Sequence, residues 1–157
     1  MEKAYLWLLT SQGSQRPRPL ITGIGFKQLQ LGNITDKEEY KPAIVKTYLQ
    51  FGKCPVTEFI DSQPTKVSVK IAWVLKLIQE TEKVPKIYFK KLTDTDFYEC
   101  RIEINGNIYR ILGFFDEGNL VVLTNGFQKK SQKTPPNEIE VCKIRKADYL
   151  KRKEAKK

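Results

Sequence analysis

Asn105-Gly106 stands between two runs of β-forming residues, 98–104 and 107–115. In that setting the pair predicts a two-residue hairpin, because both residues tolerate the positive φ of a type I′ turn. So short a loop also fixes the pairing. Counting outward from the turn, Ile102 faces Tyr109, Cys100 faces Ile111 and Tyr98 faces Gly113. These residues form one side of the ribbon. With Ile104, Phe115, Val122 and Thr124 that side is nearly all apolar, as a face lying under helices must be. The other side carries Glu99, Arg101, Glu103, Arg110, Leu112 and Asn125.

On that second side Arg101 is directly opposite Arg110. Like charges so placed destabilise a sheet by roughly some tenths of a kcal/mol. An anion held between them would account for the arrangement, since planar guanidinium groups match phosphate. A solvated face on which the diagonal neighbours Glu99 and Glu103 neutralise the arginines accounts for it as well.

The rest of the chain supplies the other elements. Residues 43–49 are β-rich between Pro42 and Gly52, and read as a strand. Residues 55–61 begin at a proline and suit a short helix. Ser62-Gln63-Pro64 then offers a cap and a proline in the first turn of a second helix. There Val67, Ile71, Leu75 and Ile78 recur at helical spacing with Val74 beside them, while Trp73 lies off the centre of the stripe. A third meander strand is expected over 120–125. A basic helix is expected from about 135 to 152, with Ile139, Cys142 and Tyr149 on one side. The order is strand, two helices, three-stranded meander and terminal helix, an α+β domain with helices packed on one face of a sheet.

Residues 1–40 differ from the remainder of the chain. Gly13, Pro17, Pro19, Gly23, Gly25 and Gly32 interrupt any regular period, and these residues read as a partly disordered extension to a domain over 41–157. Of the net charge of +10, the extension holds only +1 and residues 128–157 hold +7. A basic excess of this size points to a polyanionic partner, nucleic acid before anionic membrane. There is no histidine, which excludes His-based triads, His-ligated zinc and imidazole proton shuttles. Cys54, Cys100 and Cys142 are scattered and read as reduced, small buried residues of a cytoplasmic protein. The longest apolar run, residues 4–9, is too short to span a membrane.

Two basic clusters are placed to join the arginine row. Lys86, Lys90 and Lys91 precede the first meander strand, and Lys129, Lys130 and Lys133 come after the third. Tyr88, Phe89 and Phe127 lie among these charges, an interleaving that suits RNA by base stacking or, equally, core positions at strand ends.

The stretches FGKCPVTEFIDSQPTKVSVKIAWVLKLI and YECRIEINGNIYRILGFFDEGNLVVLTNGFQKKSQKTP, with the basic tail, resemble the phage-derived, HigB-like branch of the RelE/ParE toxin superfamily over about residues 42–152. The resemblance implies a RelE-like fold: a small twisted antiparallel sheet, two N-terminal helices on one face and a C-terminal basic helix. It implies the toxin of a type II toxin–antitoxin system, a ribosome-dependent mRNA endoribonuclease neutralised by a helix-turn-helix, HigA-like antitoxin. The superfamily also contains gyrase poisons, so a non-nuclease relative or a non-enzymatic basic nucleic-acid-binding domain is the alternative.

RNA cleavage by attack of a 2′-hydroxyl needs a base, charge stabilisation and an acid, and calls for no metal or cofactor. Arg101 and Arg110 are the expected charge stabilisers. Lys91 or Lys90 is expected as base or electrostatic aid, and Lys130, Lys129 or Lys133 as acid or backbone contact. The catalytic set is thus Arg101, Arg110, Lys91 and Lys130, with Lys86, Lys90, Lys129, Lys133, Asn125 and Phe127 binding RNA. Arg110→Ala is expected to abolish toxicity with the fold largely intact.

Overall fold

A computed structural model describes residues 4–10, 15–20, 44–81 and 83–157. Among these residues seven strands form one mixed sheet in the order β2-β1-β3-β7-β6-β5-β4. In chain order these are β1 (Ala4–Thr10), β2 (Gln15–Leu20), β3 (Ile44–Thr47), β4 (Phe89–Lys91), β5 (Phe97–Ile104), β6 (Asn107–Phe115) and β7 (Leu120–Lys129). Helices α1 (Pro55–Asp61) and α2 (Thr65–Glu80) lie between β3 and β4, and α3 (Pro136–Glu154) is the last element.

Strands β3 to β7 with the three helices make the α+β domain. The resemblance implies an antiparallel sheet, and β4 to β7 are antiparallel. Strand β3, however, joins β7 in parallel. The physical reason is the connection: two helices and three strands separate β3 from β7, so β3 is delivered as a crossover and not as a hairpin arm. Residues 4–10 and 15–20 contribute the antiparallel pair β1 and β2, of which β1 meets β3 at Leu9–Lys46 and Thr10–Thr47. Residues 1–3, 11–14 and 21–40 of the expected extension, and Ala43 at the start of the expected first strand, lie outside the described residues.

Helix α2 forms where the periodicity puts it. Val67, Ile71, Val74, Leu75 and Ile78 are buried in one core with Cys100, Ile102, Tyr109 and Ile111. Each such side chain contributes on the order of 1.5–3 kcal/mol of transfer free energy. Trp73 sits at the margin, edge-on to Tyr88 at 5.2 Å with Lys70 over its ring. The cap differs from expectation. Ser62 closes α1, its hydroxyl donating to the Phe59 carbonyl, and Pro64 itself is the N-cap of α2. Both Cys100 and Cys142 are buried and Cys54 is half-buried.

The sheet is covered on both faces, where the sequence pattern suggests one. Helix α3 packs on the face opposite α2, setting Cys142, Tyr149, Ile139 and Leu150 against Leu112, Phe114, Val122 and Phe127. The turn between β6 and β7 is one cause. The Asp116 amide donates to the Leu120 carbonyl, so three residues, 117–119, make the turn. An odd count sets Val122 opposite Phe114, on the α3 side, instead of under the first two helices. A β-bulge then restores the other parity. Leu112 faces Asn125 but Gly113 faces Leu123, which leaves Thr124 as the extra residue. Among the described residues no helix is long and apolar enough to cross a membrane.

Candidate nucleic-acid interface

The hairpin places the arginines as its turn demands. Asn105 and Gly106 have φ of 50° and 76°, and the ladder pairs Arg101 with Arg110, Ile102 with Tyr109 and Cys100 with Ile111. Strand β4 then adds Lys90 opposite Glu99 and Lys91 opposite Tyr98. Alternation puts Lys90 on the arginine face and Lys91 on the α2 face. On the far side β7 runs four residues beyond the expected end. Phe127 faces Arg110, and Lys129 faces Ile108. One face of four strands therefore carries Lys90, Glu99, Arg101, Glu103, Arg110 and Lys129.

The charges interlock. Glu99, 5% exposed, sits between the guanidinium groups, one carboxylate oxygen 3.4 Å from Arg101 Nε and the other 3.6 Å from Arg110 Nε. Glu103 lies 3.8 Å from Arg110 Nη2. The diagonal neutralisation is therefore present. Its geometry is poor: Arg101 Nε and Arg110 Nε are both buried without a hydrogen-bond partner. Arg110 Nη1 donates to the Tyr109 carbonyl at 2.9 Å, and Arg101 Nη1 to the Lys86 carbonyl at 3.3 Å. Thr134 donates its hydroxyl to Glu99 at 3.5 Å, bringing the loop before α3 over the site.

Lys129 belongs electrostatically to this group. Burial pushes its ammonium below the ordinary lysine value; Glu99 opposes the shift, while Arg110, Arg101 and Lys90 reinforce it. Burial likewise lowers Arg110, with Glu99 opposing, though a guanidinium stays charged at any physiological pH. Four cations face two carboxylates, so the face keeps an excess of positive charge.

The structure brings some expected residues to the arginines and not others. Lys90 and Lys129 share their face. Lys91 points to the other face, and Lys130 and Lys133 are exposed beyond the end of β7. Lys86, Lys90 and Lys91 line an open hollow of 810 Å³ at the sheet edge with residues 92–96. Arg101 reaches its rim through the Lys86 carbonyl. Asn125 is taken up in holding α3, its amide donating to the Glu138 carboxylate at 2.8 Å and its oxygen accepting from Thr124. Phe127 and Phe89 are buried in the core, and Tyr88 packs on Trp73, so none of the three offers an open stacking surface.

The burial of Arg110, 1% exposed, also corrects the expectation for Arg110→Ala. Removing it leaves the buried Glu99 carboxylate beside a cavity, and breaking a buried ion pair from one side costs on the order of 3–5 kcal/mol. That variant tests the fold before it tests chemistry. The expected third strand stops at Asn125, one residue before Gly126. In the structure Gly126 stays within the strand, and Phe59 of α1 packs where its side chain would be. The signal that could extend the strand is the alternation of Asn125, Phe127 and Lys129 across that glycine.

The family model described as phage derived protein Gp49-like (DUF891) matches residues 58–147, from within α1 to within α3 and more than half of the chain. No curated protein matches the chain.

Proposed function

Since the chain belongs to the phage-derived Gp49-like family, which is associated with RelE- and HigB-like toxins, we propose that it is a HigB-like toxin of a type II toxin–antitoxin system, cleaving mRNA on the ribosome. The observation that carries this reading is the opposed Arg101–Arg110 pair, flanked on the same face by Lys90 and Lys129.

In the proposed reaction the 2′-oxygen attacks the adjacent phosphorus and the bond to the 5′-oxygen breaks, leaving a 2′,3′-cyclic phosphate and a 5′-hydroxyl. Arg101 and Arg110 neutralise the charge that grows on the phosphorane oxygens. Lys129 takes the 2′-hydroxyl proton, and its conjugate acid returns a proton to the departing 5′-oxygen. A lysine can do this only if its pKa lies well below about 10.4, the direction in which burial and the neighbouring cations move it. Lys90 and the lysine-lined hollow hold flanking phosphates. A site with so little dedicated acid–base machinery acts weakly on unconstrained RNA, and the ribosome supplies the in-line geometry. The work is cytoplasmic, and the expected neutralising partner is a small helix-turn-helix antitoxin encoded beside this gene.

The test is to add the purified protein to a translating extract and map mRNA 5′ ends by primer extension. Cuts in codon register that disappear without ribosomes support the reading. Intact message overturns it, and inhibition of DNA supercoiling by the same protein would move the case to a gyrase poison.

A further inference from the structure

We propose that Glu99 is the resident anion of the arginine pair, which an RNA phosphate must displace, so that the site is latent as folded. The inference rests on the phosphodiester reading above and adds the regulation of that site.

Glu99 lies within ion-pair distance of both guanidinium groups. It occupies the place badly: neither Nε gains a hydrogen bond, although both are buried beside it. A carboxylate on a short β-strand side chain presents two oxygens in one plane, whereas a phosphodiester entering from solvent is free to align with both planar donors. Arg110 is moreover sealed from solvent in this state. No phosphate reaches it unless a covering group moves, and Glu99 is in direct contact.

A destination exists for the displaced carboxylate. Lys90 is directly across from Glu99 on the edge strand, on the same face, and is exposed. Cross-strand partners lie close enough to pair. Glu99 swinging outward gives up Arg101, Arg110 and the Thr134 hydroxyl and meets the Lys90 ammonium. The exchange keeps every charge partnered: phosphate inside with the arginines, carboxylate outside with the lysine.

The test uses the full chain and two probes, inorganic phosphate and a 2′-O-methyl RNA oligonucleotide that cannot be cleaved. Glu99→Gln should melt lower than the parent protein in chloride. It should recover in phosphate at matched ionic strength by several degrees more than the parent gains. It should also bind the oligonucleotide at least tenfold more tightly. An equal phosphate response in both proteins, or unchanged RNA affinity in a folded Glu99→Gln, overturns the proposal. Should that variant not fold in chloride, refolding on addition of phosphate supports the proposal, and failure to refold counts against it. In the parent protein the arginine Nε–H resonances of Arg101 and Arg110 should shift together on phosphate titration; static signals overturn it. Because these are binding readouts, an intact mRNA in the extract assay would remove the nuclease reading without touching them.

Discussion

Lys129 shows how much one side chain's address is worth. Its neighbour Lys130 has the same chemistry, yet Lys129 is the one that lies in the field of Arg101, Arg110 and Lys90. Lys129→Met keeps the apolar stem and removes the ammonium, so cleavage on programmed ribosomes should fall about 10²–10⁴-fold with the melting temperature unchanged or raised. The sign of the pH effect comes from the lowered pKa. In the proposed reaction the base must be neutral to act, so the parent rate should climb with pH through a limb lying below the ordinary lysine value, and Lys129→Arg should abolish that limb. Arg110→Ala should instead lose about 3–5 kcal/mol of stability in urea unfolding. Arg101, whose side chain is 28% exposed, is the less costly of the two to remove. The arginine pair was legible from Asn105-Gly106 alone, because a two-residue turn admits one register. Which lysines join it was not, because that depends on a ladder running through a longer turn, a bulge and a glycine.

At the level of elements, α3 is held by its polar contacts as much as by its apolar ones. Only Cys142 and Tyr149 are buried along its length. Arg145 donates to the Thr124 carbonyl, Arg152 to the Leu49 carbonyl, and Tyr149 and Lys153 both donate to Asp116. Burial alone would raise the Asp116 carboxyl. The hydrogen bonds from Lys153 and Tyr149 outweigh it and hold the group below its usual range. A folded-state pKa below the unfolded one gives stability that is present above about pH 4 and is lost as pH falls through the lowered value. Asp116→Asn should therefore cost about 1.5 kcal/mol at neutral pH and flatten the acid limb of the stability profile, read by thermal unfolding from pH 2 to 7. Helical spacing made α2 and α3 legible as helices. It did not say on which side of the sheet α3 would lie. The apolar stripe of α3 is short, and the odd-length turn that sends Val122 to its side leaves no mark in the spacing.

For the molecule as a whole, residues 41–157 carry nearly all of the positive charge, and the domain of β3 to α3 holds all of the candidate site. The paired strands β1 and β2 touch it through β3. A chain lacking residues 1–40 should thus still unfold in a single cooperative transition by circular dichroism and still cut mRNA in the translating extract. Charge asymmetry between the two parts was legible from counting. The added strand pairing at the sheet's edge was not, because the turn-rich composition of these residues masks the pairing potential of their short apolar run.

The bulge at Thr124 makes β7 unequal in the face of genetic accident. Thr124 is a spare link: losing its codon costs its hydrogen bonds but lets Leu123 and Asn125 keep their partners, so both faces stay as they are. Losing the codon of Gln128 is a different matter. Lys129 would move up to the place opposite Tyr109, and a one-residue slip exchanges the two faces of a strand. The two shortened proteins would have the same length and the same charge. Spontaneous survivors of an active copy, sequenced across β7, should therefore carry single-codon losses after the spare link and not at it.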